Sequence, residues 1–461
     1  MKMKTNKILM ASMITTGLFL TGCNSDSDSN LNPVETTIET RTLSSLTSRS
    51  ANDINQNQSG LVSANTVYDW VNNWEQSRPE NIQGRLFVLQ LNSAGAEDEF
   101  NFIKHDDENV FTIDYLDCCS TPTFSNTRND GVSNLPSSLP DGETMDGILA
   151  TLGVNPNEDM ILIVSGDGGG TNLSATRLWL TMTYWGVTPE HIAIMDGSAT
   201  HQLHPNNNAS VNALSDIFVA NASTPPGNGT TSVKDIPYDA TVINATMGDI
   251  MTVASGEQPG FIVDARSEDE YNGIVALKKS KAEEKTCGAD GVSQCYTAFE
   301  GHIKGAARIE WTTLFNTNDQ TVDVNGDGIV DSKDASHTYK NLADLEQLYI
   351  DAGYQEGDTL YPYCRTATRA SANAFVQMAI LGYPTAVYDG SWTQWGKMAD
   401  ALDKNGNQML AFDNQWRTDV TDYSESITYN PDYLNVQQIN GLNADAASTN
   451  AIVEEDKAYK Q

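Results

Sequence analysis

The stretch Thr359–Phe375, "TLYPYCRTATRASANAF", decides how the chain is read. Its opening, "TLYPYC", is a short apolar run of the kind that makes a buried strand. Past Cys364 the residues turn small, polar and helix-forming, with Arg365 and Arg369 close to the sulfur. Strand, tight loop and helix in that order form the unit of a parallel α/β sheet. The N–H groups that open such a helix have no intrahelical partner. With the positive helix end and two guanidiniums they favour a thiolate over a thiol. A short loop would wrap several amides around the sulfur as an anion nest. The competing reading, a buried structural cysteine, is common for free thiols, but the cationic residues after Cys364 weigh against it.

The same alternation extends outward in both directions. In the second half "DATVINATMGDIM" reads as a helix, "GFIVDARS" as a strand, "YKNLADLEQLYIDAGY" as an amphipathic helix stopped by Gly353, and "PTAVYDGSWTQW" as the last strand. In the first half "LVSANTVYDWVNNW" is a helix entered through Ser63, and "RLFVLQL" and "NVFTIDYL" are strands. "TMDGILATLGV" is a helix ending near Gly153, and "DMILIVSGDGGG" is a strand breaking into a glycine loop. "IAIMDGSATHQL" then echoes "TAVYDGSWTQWG", so two copies of one α/β unit account for the chain. Overlaid, the copies set Cys364 against the "GDGGG" run with Asp167 as its nearest match, which makes one copy the working one.

With 61 acidic and 27 basic residues the formal charge is -34, which argues against a nucleic-acid partner. At the N-terminus Lys2, Lys4 and Lys7 precede the apolar run "ILMASMITTGLFL", too short to span a bilayer. The run ends in "LTGC", and the whole resembles a bacterial lipoprotein signal. That resemblance implies removal of residues 1–22, lipid on Cys23, and attachment in the cell envelope, at the outer membrane facing the periplasm. Polar residues 23–58 are expected to be a flexible tether, 59–215 and 239–400 the two α/β units, 216–238 a linker and 401–461 an extension. Cysteines 118, 119, 287 and 295 remain, an even number for an oxidising compartment. Cys287 and Cys295 bracket a turn-rich loop that closes easily. Neighbours such as Cys118 and Cys119 bond to each other only with strain, and all three pairings stay open.

Four motifs, "VDARSEDEYNG", "GHIKGAARIEW", "YCRTATR" and "YDGSWTQWG", occur in the order found in two-domain rhodaneses, which transfer sulfur from thiosulfate or 3-mercaptopyruvate. The chain resembles that family over most of residues 60–400. The resemblance implies an α/β fold of two tandem rhodanese-like domains, each a parallel sheet flanked by helices. It also implies a catalytic cysteine, Cys364, in the second only, and no catalytic cofactor. Cys364 would attack a small anionic sulfur donor and pass the sulfur as a persulfide to cyanide or a thiol. Arg266 and Arg365 would pair with the donor, while Thr366, Ala367, Thr368 and Arg369 complete the loop, Arg369 as its anchor. Asp264, Glu270 and His302 are read as scaffold. Thr366 and Ala367 depart from both the thiosulfate and the mercaptopyruvate loop patterns, which leaves the donor open with thiosulfate ranked first. The rival classes are a cysteine phosphatase or arsenate reductase, whose loops place arginine one residue further from the cysteine, and a non-catalytic binding or sensor lipoprotein.

"DVNGDGIVDSKD" has the spacing of a calcium loop. Asp323, Asn325, Asp327, Ile329 (through its carbonyl), Asp331 and Asp334 are the candidate ligands, and Gly328 makes the sharp turn. Lying in an insertion, the loop is expected to hold Ca2+ structurally.

Overall fold

The computed structural model describes residues 38–47, 60–92, 100–119, 126–167, 171–272, 301–321, 323–324, 328–331, 334–397 and 449–461. Cys23, Cys287, Cys295, Asn325 and Asp327 lie outside the described residues.

Strands β1 (Leu61–Val62), β2 (Leu86–Leu91), β3 (Val110–Asp114), β4 (Met160–Ser165) and β5 (Ile192–Ser198) form a parallel sheet in the order β1-β5-β4-β2-β3. Every residue of β2 and β4 is buried, as a parallel sheet covered on both faces requires. In the second half β6 (Phe261–Asp264), β7 (Ala307–Arg308) and β8 (Leu360–Tyr363) pair in the order β7-β6-β8. Single parallel bridges, Leu360 with Thr385 and Asn244 with Val387, extend it in the same sequence as the first sheet. The stretch expected as a last strand therefore contributes bridges only, and its "SWTQWGK" end is helical, because the chain turns at Ser391 to bury Trp392 and Trp395.

Helix α1 (Ala64–Ser77) starts at Ser63, whose hydroxyl accepts the Thr66 N–H, and α2 (Gly142–Leu152) ends at left-handed Gly153. Helix α3 (Thr171–Tyr184) follows β4. Helices α4 (Met247–Ser255), α5 (Leu342–Asp351), α6 (Thr368–Phe375), α7 (Ser391–Lys397) and α8 (Ala451–Lys460) belong to the second half and the C-terminus. Helices α3 and α6 pack face to face, with Trp179 edge-on to Phe375 at 5.0 Å. An apolar core runs through both halves, and the described residues from 38 onward form a single compact unit.

The tether and linker residues that the structure describes are packed, and so is the end of the C-terminal extension. In the tether, Glu39–Thr40 pairs with Tyr238–Asp239 and Leu46 is buried. In the linker, Phe218–Val219 pairs with Phe102–Ile103, and Val233 and Ile236 are buried. At the C-terminus α8 docks on the first half: Asp456 accepts from Arg128 and Tyr184, and Lys460 donates to the Trp185 and Tyr238 carbonyls. Cys118 and Cys119 form a disulfide with each other. Among the described residues no helix is long and apolar enough to cross a membrane.

Candidate active site

Cys364 follows the last residue of β8, at the carboxyl end of the central strand of the second sheet, and is 1% exposed. Its counterpart is identified by hydrogen bonding. Thr393 donates N–H and hydroxyl to the Arg365 carbonyl, and Thr200 donates both to the Gly166 carbonyl. Cys364 therefore matches Ser165, not Asp167. Strand pairing sets this register, whereas a glycine run carries no side chains to reveal it.

The loop after Cys364 is tightly held. Ala367 precedes α6 with φ 62°, a left-handed conformation costing about 1 kcal/mol for a residue with a Cβ. Two of the loop amides do not face the sulfur: the Cys364 and Ala367 N–H groups donate to Ser391 Oγ at 3.3 and 3.0 Å. Ser391 itself has φ 51° and donates to the Tyr388 carbonyl. The N–H groups of Thr366, Thr368 and Arg369 have no protein acceptor among the described residues, and they open the N-terminus of α6 beside the cysteine. Those three are the amides left to receive an anion in the loop, while the Cys364 and Ala367 amides are spent on Ser391.

The arginines separate by role. Arg266 is fully buried, its Nε and Nη2 on Asp264 and Nη2 also on the Gly301 carbonyl, with the guanidinium 4.7 Å from the Trp392 ring. Arg365, 3% exposed, donates Nε and Nη2 to Glu270 at 3.2 Å. Both were expected to meet the donor's anionic end. In the structure each is held on a carboxylate, which offsets the cost of burying its guanidinium. Arg369 donates to both Glu270 oxygens yet keeps a fifth of its side chain exposed. Burial would lower its pKa, but the Glu270 hydrogen bond outweighs that and holds the guanidinium above the usual arginine range, so Arg369 stays cationic. Burial would push the Glu270 carboxyl up; the bond from Arg369 and the charges of Arg369, Arg365 and Arg266 outweigh it and bring it down to about 2. Asp264 and His302 are structural: Asp264 receives the Tyr363 hydroxyl, and His302 stacks on Tyr271 at 3.7 Å.

Ser391, Asp389 and Gln394 were missed as site residues although they sit in the quoted "YDGSWTQWG". Their signal was the echo itself, in which Ser198 matches Ser391.

The insertion only partly resembles a metal loop. Gly328 has φ 84°, and Asp323 accepts its N–H at 2.7 Å. Asp334, fully buried, accepts the Val324 and Asp331 amides with its two oxygens. Among the described residues no group of three His, Cys, Asp or Glu side chains is poised to hold a metal. The carboxylates of Asp323 and Asp334 are turned to loop amides.

A free, buried cysteine at a parallel strand end, directly before a helix N-terminus and near arginines paired to Glu270, places the chain among α/β proteins with a cysteine in a strand-to-helix loop. Comparison narrows the class, since residues 252–398 match the family model described as the rhodanese-like domain. The chain is 32% identical over 179 residues to a sulfur carrier protein, TtuD, of Thermus thermophilus, covering 38% of this chain and 51% of that one. It is 24% identical over 262 residues to a protein of Mycobacterium bovis named provisionally as a thiosulfate sulfurtransferase, covering 57% and 76%. The chain thus spans about half the length of the first of these relatives. Among solved structures, Tum1 of Saccharomyces cerevisiae aligns with a TM-score of 0.45 at 15% identity, over 73% of this chain and 94% of that one. SseA of Escherichia coli, a 3-mercaptopyruvate sulfotransferase, aligns at 0.41 and 18% identity, over 72% and 98%.

Proposed function

We propose that the protein is a sulfurtransferase that carries a sulfane sulfur on Cys364. What supports this is the placement of Cys364 at the end of β8, directly before a helix N-terminus whose Thr366, Thr368 and Arg369 amides have no protein acceptor among the described residues. The Cys364 thiolate attacks the outer sulfur of thiosulfate, the S–S bond of the donor breaks, and sulfite leaves with its electron pair. The amides of Thr366, Thr368 and Arg369 stabilise the anionic persulfide. Cyanide or a thiolate then attacks the outer sulfur, and Cys364 departs as the thiolate. The named activities of the relatives support sulfur transfer as the reaction class. Arg266 and Arg365 act by fixing the loop from behind through Asp264 and Glu270, and Arg369 is the cation nearest the anionic donor.

The loop remains short for a tetrahedral phosphate, which favours sulfur transfer over the phosphatase or arsenate reductase reading. A donor panel tests the assignment. Thiosulfate with cyanide is expected to yield thiocyanate faster than 3-mercaptopyruvate does. The reverse order would reassign the donor, and hydrolysis of an aryl phosphate without sulfur transfer would reassign the reaction.

We also infer that Ca2+ pins the insertion. Asp323, Asp331 and Asp334 would be its described carboxylate ligands, with Asn325, Asp327 and the Ile329 carbonyl completing the set. The left-handed Gly328 supports this; the amide-facing carboxylates require that they turn on binding. Titration calorimetry is expected to show calcium uptake that Asp323→Ala removes, with sulfur transfer unchanged. Absence of heat with the intact chain would dismiss the site.

A further inference from the structure

The turn Asp389–Gln394 grips the cysteine loop. Ser391 Oγ accepts the Cys364 and Ala367 amides, Trp392 N–H donates to the Cys364 carbonyl, and Thr393 donates N–H and hydroxyl to the Arg365 carbonyl. Ser391 performs this from a left-handed φ of 51°, a conformation that persists only where the surroundings over-determine it. Those surroundings come from the first half, which has Ser165 where the second has Cys364. Arg177 of α3, fully buried, donates Nη1 to Asp389 Oδ1 at 2.8 Å and Nη2 to the Ser137 carbonyl at 2.6 Å. The Leu139 N–H donates to the other Asp389 oxygen, and Gln394 donates to Asp130 and Ser133.

The internal repeat supplies a built-in comparison. Asp196, the counterpart of Asp389, accepts the Tyr339 N–H at 2.8 Å, just as Asp389 accepts that of Leu139. Leu139 and Tyr339 each lie two residues before a helix N-cap, Asp141 and Asn341. The backbone bond is therefore common to both halves and belongs to the fold. The cation does not recur: matching "SATR" to "SANA" sets Ala374 opposite Arg177. Among the described residues Asp196 has no ion pair, and burial pushes its carboxyl up to about 7 against the Tyr339 hydrogen bond. The added arginine is found only over the turn that holds a cysteine.

We propose that Arg177 is a positioning residue for Cys364, acting across the two halves through Asp389 and Ser391. This rests on Cys364 being the sulfur carrier. With Arg177 in place the turn is rigid and Ser391 holds two amides, leaving the other three aimed at the persulfide. Without it the turn relaxes, the cradle loses its aim and the thiol gains access to solvent.

The test uses the full chain and three readouts: sulfur loading from thiosulfate followed by mass, alkylation of Cys364 by iodoacetamide followed by peptide mass, and denaturation midpoint. Arg177→Met combined with Asp389→Asn removes both charges together, so no lone buried charge is left to unfold the protein. This double variant is expected to load sulfur about ten-fold to a hundred-fold more slowly and to alkylate several-fold faster, the scale of a small misplacement of reacting groups. Asp196→Asn is expected to change neither rate. Adding Ser391→Ala to the double variant should deepen the loss little, because both changes act through one contact. A folded double variant that loads and alkylates like the wild type would overturn the proposal, as would losses that simply multiply. If the wild type takes no sulfur from any donor while alkylation still responds to Arg177, the transfer reading fails and the positioning role stands.

Discussion

Cys364→Ser is expected to abolish sulfur transfer, lowering thiocyanate formation from thiosulfate and cyanide by about four orders of magnitude or more. The reason is chemical. A serine hydroxyl is not ionised near neutrality, and an oxygen cannot store sulfur as a stable persulfide that an acceptor releases. The fold should tolerate the change. The side chains are nearly equal in size, the position is 1% exposed, and the loop is held by backbone groups of residues 364, 365 and 367. Two measurements check it together: turnover, and the mass of the isolated protein after donor treatment. The wild type should gain the mass of one sulfur atom on the peptide carrying Cys364, and the variant should not. A variant that still transfers sulfur would move the chemistry to another residue.

Glu270→Gln is expected to cost about 3 kcal/mol of folding stability at neutral pH. Glu270 is the common acceptor of Arg365 and Arg369, so a neutral amide leaves two guanidiniums without a counter-charge in a buried setting. The pH dependence distinguishes this from simple misfit. The carboxyl stands at about 2 in the folded protein against an ordinary 4.5, so its stabilisation is complete above pH 4.5. It is lost as pH falls from there towards 2, because the unfolded chain takes up the proton first. Denaturant unfolding at pH 7, 4 and 3 should therefore show the gap between wild type and variant widest at pH 7 and shrinking in acid. A gap that stays constant with pH would mean that Glu270 contributes packing and not charge. Sulfur transfer should fall as well, since Arg369 loses the partner that orients it.

The duplicated α/β plan was legible because it rests on local signals. Apolar runs of strand length, capping residues such as Ser63 and stop glycines such as Gly153 and Gly353 act within a few residues of themselves. Cys364 was legible for the same reason, since a strand, a small polar loop and a helix follow one another without interruption. Pairings over long separations were not legible. Glu270 meets Arg365 and Arg369 across 95 and 99 positions, and Arg177 meets Asp389 across 212. Charge type marks such residues as candidates but says nothing of which partner folding will deliver. Residues 38–47 show the same limit: their composition reads as a polar tether, yet Glu39–Thr40 pairs with Tyr238–Asp239 and Leu46 is buried, on surfaces that only the folded chain offers.

By itself the sequence determined that two α/β copies would form and that one would present a thiol at the mouth of a strand, because backbone propensity and apolar pattern act locally. The tertiary structure alone decided which oxygen receives each loop amide, which carboxylate neutralises each arginine, and that Arg177 of one copy braces the turn of the other. Those outcomes depend on which groups are desolvated together. Desolvation is a property of the closed core, and no short stretch of chain contains it.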